Sequence, residues 1–371
     1  MKRLGLCVTL AALLLAGGCG QKKLLIGVVL PETGDSSPYG TSLKTGVKLA
    51  FDAAMAAHEA PAGLEVVYRD SASSSTLAAS QAQALFNQGA VIVIGGATSA
   101  EGRAMIPAAE KTGGVILSPS ASAPGLAASS NLFFRVFPSD SLEGARAAKY
   151  VVVDRKLKKV LIVQEDNPYT HGLLPVFTTE LKKLGGEVVG TVTIGRDGWE
   201  KELKDALAGI KPEALYVCGY GEAILQGLLE IRGLEYPGLV LTTSAIATVD
   251  LVWRGGRLVE GVTFPATGID FTSQQEPMKS FVARYRDANN NLTPDLYAAH
   301  GYDSALVALF ALEGPPLQGK TDLLERLLEF SGRVGVTGPL SFDSEGNAKY
   351  RLRMQCVRGG KVEDCDPEPR S

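Results

Sequence analysis

The chain predicts an α/β protein built on two parallel sheets, each covered by helices. Three observations carry that expectation. With 371 residues the chain is too long for one small domain and long enough for two cores. Short apolar runs alternate with stretches of helical periodicity, in two successive series. Many runs lead at once into Gly, Ser, Thr or Pro, as in residues 91–102 and 115–124. A buried parallel strand and the loop at its carboxyl end read this way, and open α/β sheets bind ligands in that crevice.

The first residues are a targeting segment rather than part of the fold. Lys2 and Arg3 give a positive start, residues 4–15 an apolar stretch, and Ala16, Gly17 and Gly18 a small-residue cleavage site. Residues 1–18 are thus expected to be a signal peptide. Cys19 directly after them resembles the bacterial lipobox, in which the cysteine is acylated, although Leu15 lies one place further upstream than that pattern has it. The apolar stretch is too short for a spanning helix. The expectation is an exported body, periplasmic or at the cell surface, held to a membrane by lipid on Cys19.

Hydrophobic residues make up 45% and charged residues 21%, which is globular composition. A net charge of −3 without a long basic run argues against a nucleic-acid partner. Of the five cysteines, Cys218 sits in an apolar run and reads as a buried, inert thiol. Cys356 and Cys365 flank a turn at Gly359-Gly360 and can pair outside the cytoplasm, though they do not fall directly opposite one another. The three histidines are scattered and no Cys-x-x-Cys is present, so neither a metal nor a cofactor is expected. No heptad stands out, and a monomer is expected.

Taken in order, residues 24–30 read as the first buried strand, ended by Pro31 and a turn-rich loop, with a helix from Leu43 onward. Residues 64–68 are a strand, followed by an Ala-rich helix to Asn87, then the strands that open at Val91 and Val115. Residues 133–137 lead into Pro138-Ser-Asp, a helix start. The second series has strands at 160–163, 187–194, 215–218 and 239–241, with helices between them. Helices are then expected near 277–288, 294–312 and 320–330, and the chain ends in a hairpin.

The helix beginning near Ala100 leaves its first amides without partners and carries partial positive charge there. Ser99 adds a hydroxyl at the same mouth, a place for a carboxylate, unless Thr98 and Ser99 only cap the helix. The second serine-rich loop, at 118–122, favours a site.

Along the chain, Ile26-Gly-Val-Val-Leu-Pro with Thr33-Gly-Asp and Tyr39-Gly; Ser118-Pro-Ser-Ala-Ser; Phe134-Arg with Pro138-Ser-Asp; Gly301-Tyr-Asp; and Gly338-Pro-Leu-Ser-Phe-Asp with Gly346 resemble the leucine/isoleucine/valine-type periplasmic binding proteins, type I solute-binding proteins of ABC importers. Each motif is short, but the ordered set covers nearly all of the chain after Cys19. The resemblance implies two Rossmann-like lobes joined by three hinge crossings, near Ser139, Ile269 and Asp343. One lobe would hold residues 24–139 and 270–343, the other 140–269 and 344–371. By the same resemblance Ser99, Ser120 and Ser122 hold a ligand carboxylate, with Thr98 beside them. Tyr39 covers the ligand side chain, Tyr169 and Tyr220 engage from the second lobe, and Tyr302 stands at the cleft edge.

One departure matters. Branched-chain amino-acid binders of this type place a Glu after the strand assigned here to 239–241, to grip the ammonium. This chain has Thr242, Thr243 and Ser244 there. Glu222 or Asp140 is then the expected substitute; failing both, the ligand lacks a free amine, because an ammonium buried without a carboxylate is costly. His171 stands where a Gly is more usual and faces ligand or solvent. The expected function is a lipid-anchored receptor that captures an amino acid or related small carboxylate for an ABC permease. A lipoprotein of the same fold acting as a sensor or cell-wall-synthase regulator is the alternative. Catalysis is not expected, since there is no Gly-x-Ser-x-Gly elbow and no base near Ser120 in sequence.

Overall fold

In the computed structural model the described residues are 24–365. The signal segment, Cys19 and the last six residues lie outside them. The chain begins with β1 (Leu24–Leu30), α1 (Ser37–Ala56), β2 (Leu64–Asp70), α2 (Ser75–Asn87), β3 (Ala90–Gly95), α3 (Ser99–Thr112), β4 (Val115–Ser118) and β5 (Phe133–Arg135). It continues through α4 (Asp140–Lys149), β6 (Lys159–Gln164), α5 (Pro168–Lys183), β7 (Glu187–Thr193), α6 (Trp199–Ile210), β8 (Ala214–Cys218), α7 (Gly221–Gly233), β9 (Leu239–Thr242), α8 (Val249–Gly255) and β10 (Thr263–Thr267). The last part is α9 (Met278–Ala288), α10 (Leu296–Ala311), α11 (Lys320–Leu328), β11 (Arg333–Gly335), β12 (Gly338–Leu340), β13 (Leu352–Arg358) and β14 (Lys361–Asp364).

Two large sheets result. The first has the order β2-β1-β3-β4-β5 and is parallel throughout. The second has the order β14-β13-β10-β9-β8-β6-β7, parallel from β7 to β10, with β13 and β14 added antiparallel. The parallel strands of both follow the same winding, so both sheets reverse strand order at one place: between β1 and β3, and between β6 and β8. Loops diverge at such a point and open a crevice at the strands' carboxyl ends. Interior strands such as β4, β8 and β10 are buried at every residue, as strands covered on both faces must be; the edge strands β2 and β7 are only partly so.

The helices α9 and α10 return to the first sheet, where α1 packs along α10. The approach is backbone to backbone. A Cβ on Gly46 would lie 1.9 Å from the Ala298 carbonyl oxygen, and one on Gly301 would lie 2.3 Å from that of Leu43. Next to Gly301, Asp303 is buried and accepts the amides of Val336 and Thr337, both at 2.8 Å; burial pushes its carboxyl up to about 6. The Gly301-Tyr-Asp motif is therefore a packing and loop-anchoring device.

The chain passes between the sheets three times: after β5, after β10 and before β13. Residues 346–348 still bond to the edge of the first sheet, through Arg135 N to Gly346 O at 2.9 Å and Ala348 N to Arg135 O at 3.0 Å. The last passage thus falls beyond the position near Asp343 expected from sequence. At the far end Cys356 and Cys365 are bonded, with Cα atoms 5.8 Å apart. Cys356 pairs with Glu363 across the hairpin, so the bond joins staggered rather than facing residues.

All three passages meet His300 on α10. Its Nδ1 faces the Val136 carbonyl at 2.5 Å, its Nε2 faces the Thr267 hydroxyl at 3.0 Å, and its ring packs on Phe137 and Tyr350. A carbonyl only accepts, so Nδ1 carries the proton and Nε2 accepts from Thr267. Burial pushes the imidazole down to about 3, well below the value near 6.5 of an unfolded histidine. The neutral ring therefore contributes stability that is fully present above about pH 6.5 and is lost as pH falls toward 3. We expect His300→Gln to destabilise the protein by about 1–3 kcal/mol at neutral pH, the scale of buried donors and acceptors left unpaired. In denaturant titrations the gap between wild type and variant should shrink from pH 7 to pH 4; a gap that stays constant removes the titration argument.

Candidate ligand-binding site

The carboxyl ends of the two sheets face each other across a narrow, hydroxyl-lined cavity. Its walls are Ala97, Thr98 and Ser99 after β3, Ser120 and Ser122 after β4, Tyr39 after β1 and Phe137 after β5. Tyr169, Tyr220, Ser244 and Ala245 come from the ends of β6, β8 and β9, and Tyr297 from the start of α10.

On the first-sheet side the hydroxyls are wired to one another's loops. Ser99 Oγ accepts the Ala123 amide at 3.1 Å, so its own proton is free to point elsewhere. Ser120 donates to the Ala97 carbonyl at 2.6 Å, which commits its proton and leaves only lone pairs. Ser118 ties the same loops from below, donating to Gly96 O and accepting from Ala121 N. Arg135 supports the serine loop from behind. It is almost fully buried, donates to the carbonyls of Ala121 and Ala123, and holds Asn347 at 2.8 Å; burial lowers its guanidinium to about 10. Thr98 caps α3 in a reciprocal capping box with Glu101, whose buried carboxylate also takes the Ser71 hydroxyl.

The lobes are shut on each other. The Tyr39 hydroxyl donates to the Ala245 carbonyl at 3.0 Å and accepts the Gly221 amide at 2.7 Å. Gly221 opens α7, whose flanking Tyr220 offers no side-chain cap, so an orphan amide of one lobe is satisfied by a hydroxyl of the other. Tyr297 donates to Ser244 O at 3.3 Å, and Asp295, bonded to Ser42, accepts Val249 N at 3.0 Å. The rings form a continuous series: Tyr169 stacks on Tyr220 at 5.5 Å, Tyr220 meets Tyr39 at 6.0 Å, Tyr39 meets Tyr297 at 4.9 Å, and Tyr297 stacks on Phe137 at 5.8 Å. Burial raises the hydroxyl pKa of Tyr39, Tyr169, Tyr220 and Tyr297, so all stay protonated donors at neutral pH.

Of the residues expected from sequence, Tyr39, Thr98, Ser99, Ser120, Ser122, Tyr169 and Tyr220 are brought together around the cavity. Three others are not. Glu222 points outward from α7, half exposed, and is forked by Arg254, because its place as the second residue of α7 faces α8 rather than the strand ends. Tyr302 packs on Phe281 at 4.8 Å between the helices of the first lobe; Tyr297, more than a turn earlier on the same helix, is the tyrosine that reaches the cavity. Thr243 is buried beneath the wall beside the Tyr169 hydroxyl, and the next residue, Ser244, lines the cavity. His171 is exposed and paired with Asp166, so it faces solvent.

Phe137, Tyr297, Ser244 and Glu143 were not singled out from sequence. Phe137 had a signal in its place just before the Pro138-Ser-Asp turn, and Tyr297 in its place two residues past the Asp295 cap. Glu143 had one too: it stands three residues after Asp140, on the same face of α4.

Asp140 and Glu143 lie under the second-lobe wall, both fully buried or nearly so. Glu143 accepts the Ser244 amide at 2.9 Å and the Ser244 hydroxyl at 2.8 Å. Burial pushes its carboxyl up to about 7 against those two donors. Asp140 is raised further by burial and by Glu143; the Ser122 hydroxyl lies alongside and Arg135 acts on it from a distance, but neither of its oxygens has a hydrogen-bond partner.

A two-lobed α/β protein whose strand ends enclose a small polar cavity, shut by bonds across the gap, is built as a receptor for a small solute. Residues 23–363 match the family model described as periplasmic binding protein, and the chain belongs to that family. It is 28% identical over 359 residues to a Leu/Ile/Val-binding protein of Citrobacter freundii, with 94% of each chain covered. Its structure resembles the branched-chain amino acid transporter substrate-binding protein of Streptococcus pneumoniae in complex with isoleucine, with 26% identity, a TM-score of 0.84, and 93% of this chain and all of that one covered. It also resembles an ABC transporter solute-binding protein of R. palustris in complex with benzoate, with a TM-score of 0.82 over 92% of this chain and 95% of that one; at 19% identity that likeness speaks for the fold alone. The protein is thus an extracytoplasmic solute receptor of a transporter, not an enzyme.

Removing the Tyr39 hydroxyl leaves Gly221 N and Ala245 O without their partner in the shut state. We expect Tyr39→Phe to weaken ligand affinity about ten- to a hundredfold, through faster release, with little change in melting temperature. Stopped-flow release rates check this; an unchanged off-rate would show that the latch does not hold the lobes.

Proposed function

We propose that the chain is a lipid-anchored receptor that takes an amino acid or related small carboxylate between its lobes and presents it to an ABC permease. The observation that carries this reading is the Ser99 hydroxyl. It accepts from the Ala123 amide and so turns its proton outward, beside the amino-terminal end of α3, in a cavity closed by tyrosines of the opposite lobe. Neutral donors of this kind hold a carboxylate without a counter-charge. The names of the relatives support an amino-acid ligand. Closure supports capture: Tyr39, Tyr169, Tyr220 and Tyr297 converge only when the strand ends meet, so a ligand that bridges them favours the shut state. The lobes move about the three passages at His300.

Two outcomes are expected. Ser99→Ala with Ser122→Ala should lower affinity for the best-binding carboxylate at least about a hundredfold in calorimetry, since each bond to a charged group contributes roughly 1.5–3 kcal/mol. Ser120→Ala should cost clearly less, because that proton already serves Ala97. If no amino acid or organic acid in a broad panel shifts the melting curve of the wild type, the receptor reading for this class of ligand is lost. Separately, Cys19→Ser should move the protein from the membrane to the soluble fraction; retention in the membrane would remove the lipid anchor.

A further inference from the structure

The two lobes share one winding, but their far ends differ in charge. The helices of a parallel α/β sheet finish at the amino-terminal ends of its strands. Helices α1, α2 and α3 therefore end at one tip of the molecule, and α4, α5 and α6 at the other. At the first tip the basic residue in the last helical turns is Lys111, on α3, with none on α1 or α2. At the second, Lys149 ends α4, Lys182 and Lys183 end α5, and Lys211 follows α6. The chain entering β6 adds Arg155, Lys156, Lys158 and Lys159, and all of these cations are exposed. The segments are neighbours. The Glu187 amide bonds Lys158 O at 2.8 Å, and the Glu213 carboxylate accepts the amides of Lys158 and Lys159 at 2.6 and 2.9 Å.

Lysines at helix ends can simply answer the partial negative charge there. Two observations go against that account. The first lobe ends its helices in the same way almost without them, and Lys156, Lys158 and Lys159 lie beyond any helix. Nor does the tip neutralise itself. Asp154 is paired with Arg146 and Glu180 with Lys183, while Lys149, Lys156, Lys158, Lys159, Lys182 and Lys211 stand in no ion pair among the described residues. Apolar side chains stand among these cations. Val153, in the single π-helical turn Tyr150–Asp154, is 48% exposed, and Leu184 and Ile210, at the ends of α5 and α6, are 39% and 38% exposed. The nearby rings are committed: Tyr150 lies beneath Arg155, and the Tyr236 hydroxyl is bonded to Pro212 O.

We propose that the tip of the second lobe is a docking surface for an anionic phospholipid membrane. Flexible lysines suit a surface of many phosphates, whereas a single phosphate is gripped by forked arginines. Single-stranded nucleic acid wants free aromatic faces, and the rings here are taken. The three apolar side chains fit the boundary between headgroups and acyl chains, which a soluble polyanion does not offer. Docking needs neither the cleft ligand nor lipid on Cys19. With the lipid proposed on Cys19, close ahead of β1 at the opposite tip, it lays the long axis of the body along the membrane.

The test uses the protein from Gly20 onward, which holds every described element and carries no lipid, in sedimentation with vesicles of phosphatidylglycerol and of phosphatidylcholine. The wild type should prefer the anionic vesicles at least about tenfold, and should lose that preference as salt rises from about 50 to about 500 mM. Lys156→Gln, Lys158→Gln and Lys159→Gln together should weaken binding about a hundredfold, at roughly fivefold for each charge near a membrane. Lys111→Gln, at the first tip, should change nothing, and Val153→Ser with Leu184→Ser should weaken binding severalfold. The comparison of lipids and salts needs no variant and stands if a substitution does not fold. If the wild type binds both vesicles alike, or if the lysine triple variant binds as Lys111→Gln does, the inference is overturned while the receptor reading stands. If soluble polyphosphate of the same charge concentration binds as tightly as the vesicles, or if the apolar pair changes nothing, the tip takes polyanions in general and the lipid assignment falls.

Discussion

Everything in this molecule depends on two sheets being held with their carboxyl ends toward each other, and one buried imidazole stands where the chain crosses between them. His300 touches Val136 and Phe137 on the first passage, Thr267 on the second and Tyr350 on the third. A neutral histidine suits that place because one nitrogen donates and the other accepts, so two passages are satisfied by one ring without a buried charge. From Phe137 the ring series runs through Tyr297, Tyr39, Tyr220 and Tyr169 to the cavity. The hinge and the binding wall are therefore one packed unit, and a change at either end is felt by shape at the other.

Closure uses groups that secondary structure leaves unsatisfied. The first amide of α7 and the carbonyl of Ala245 both find the Tyr39 hydroxyl, and the Val249 amide at the start of α8 finds Asp295. A helix end buried without a partner costs free energy, so these bonds favour the shut form, and water satisfies the same groups when the lobes part.

Three serine hydroxyls tie the loops around the cavity to one another. Ser99, Ser118 and Ser120 each bond to a neighbouring loop, and Arg135 binds the carbonyls behind them, which holds the serine loops in place before a guest arrives. The acid pair on α4 is bonded unevenly. Glu143 is satisfied by Ser244, while Asp140 has the Ser122 hydroxyl alongside and the more distant field of Arg135. Burial without direct partners is what raises the Asp140 carboxyl, and Glu143 beside it raises it further.

The sequence by itself determined the alternation of strands and helices, the two series and the strand ends that carry the site. Those rest on local pattern: unbroken apolar runs for strands covered on both faces, and Gly, Ser, Thr or Pro after them. Ser99 was legible from its place just past a strand end, whereas Tyr39, Ser122, Tyr169 and Tyr220 were marked by the family resemblance. The sequence could not separate Tyr297 from Tyr302, since both lie on α10 and only the packing of that helix on α1 turns one to the cavity and the other to Phe281. Nor could it choose between Glu222 and Asp140, and it passed over Glu143. Glu222 stands beside a site tyrosine in the chain yet is drawn outward by Arg254, whereas Glu143 is more than a hundred positions from Ser244 and bonds to it twice. Proximity in space, and the desolvation that gives a carboxylate its consequence, exist only once the lobes are packed.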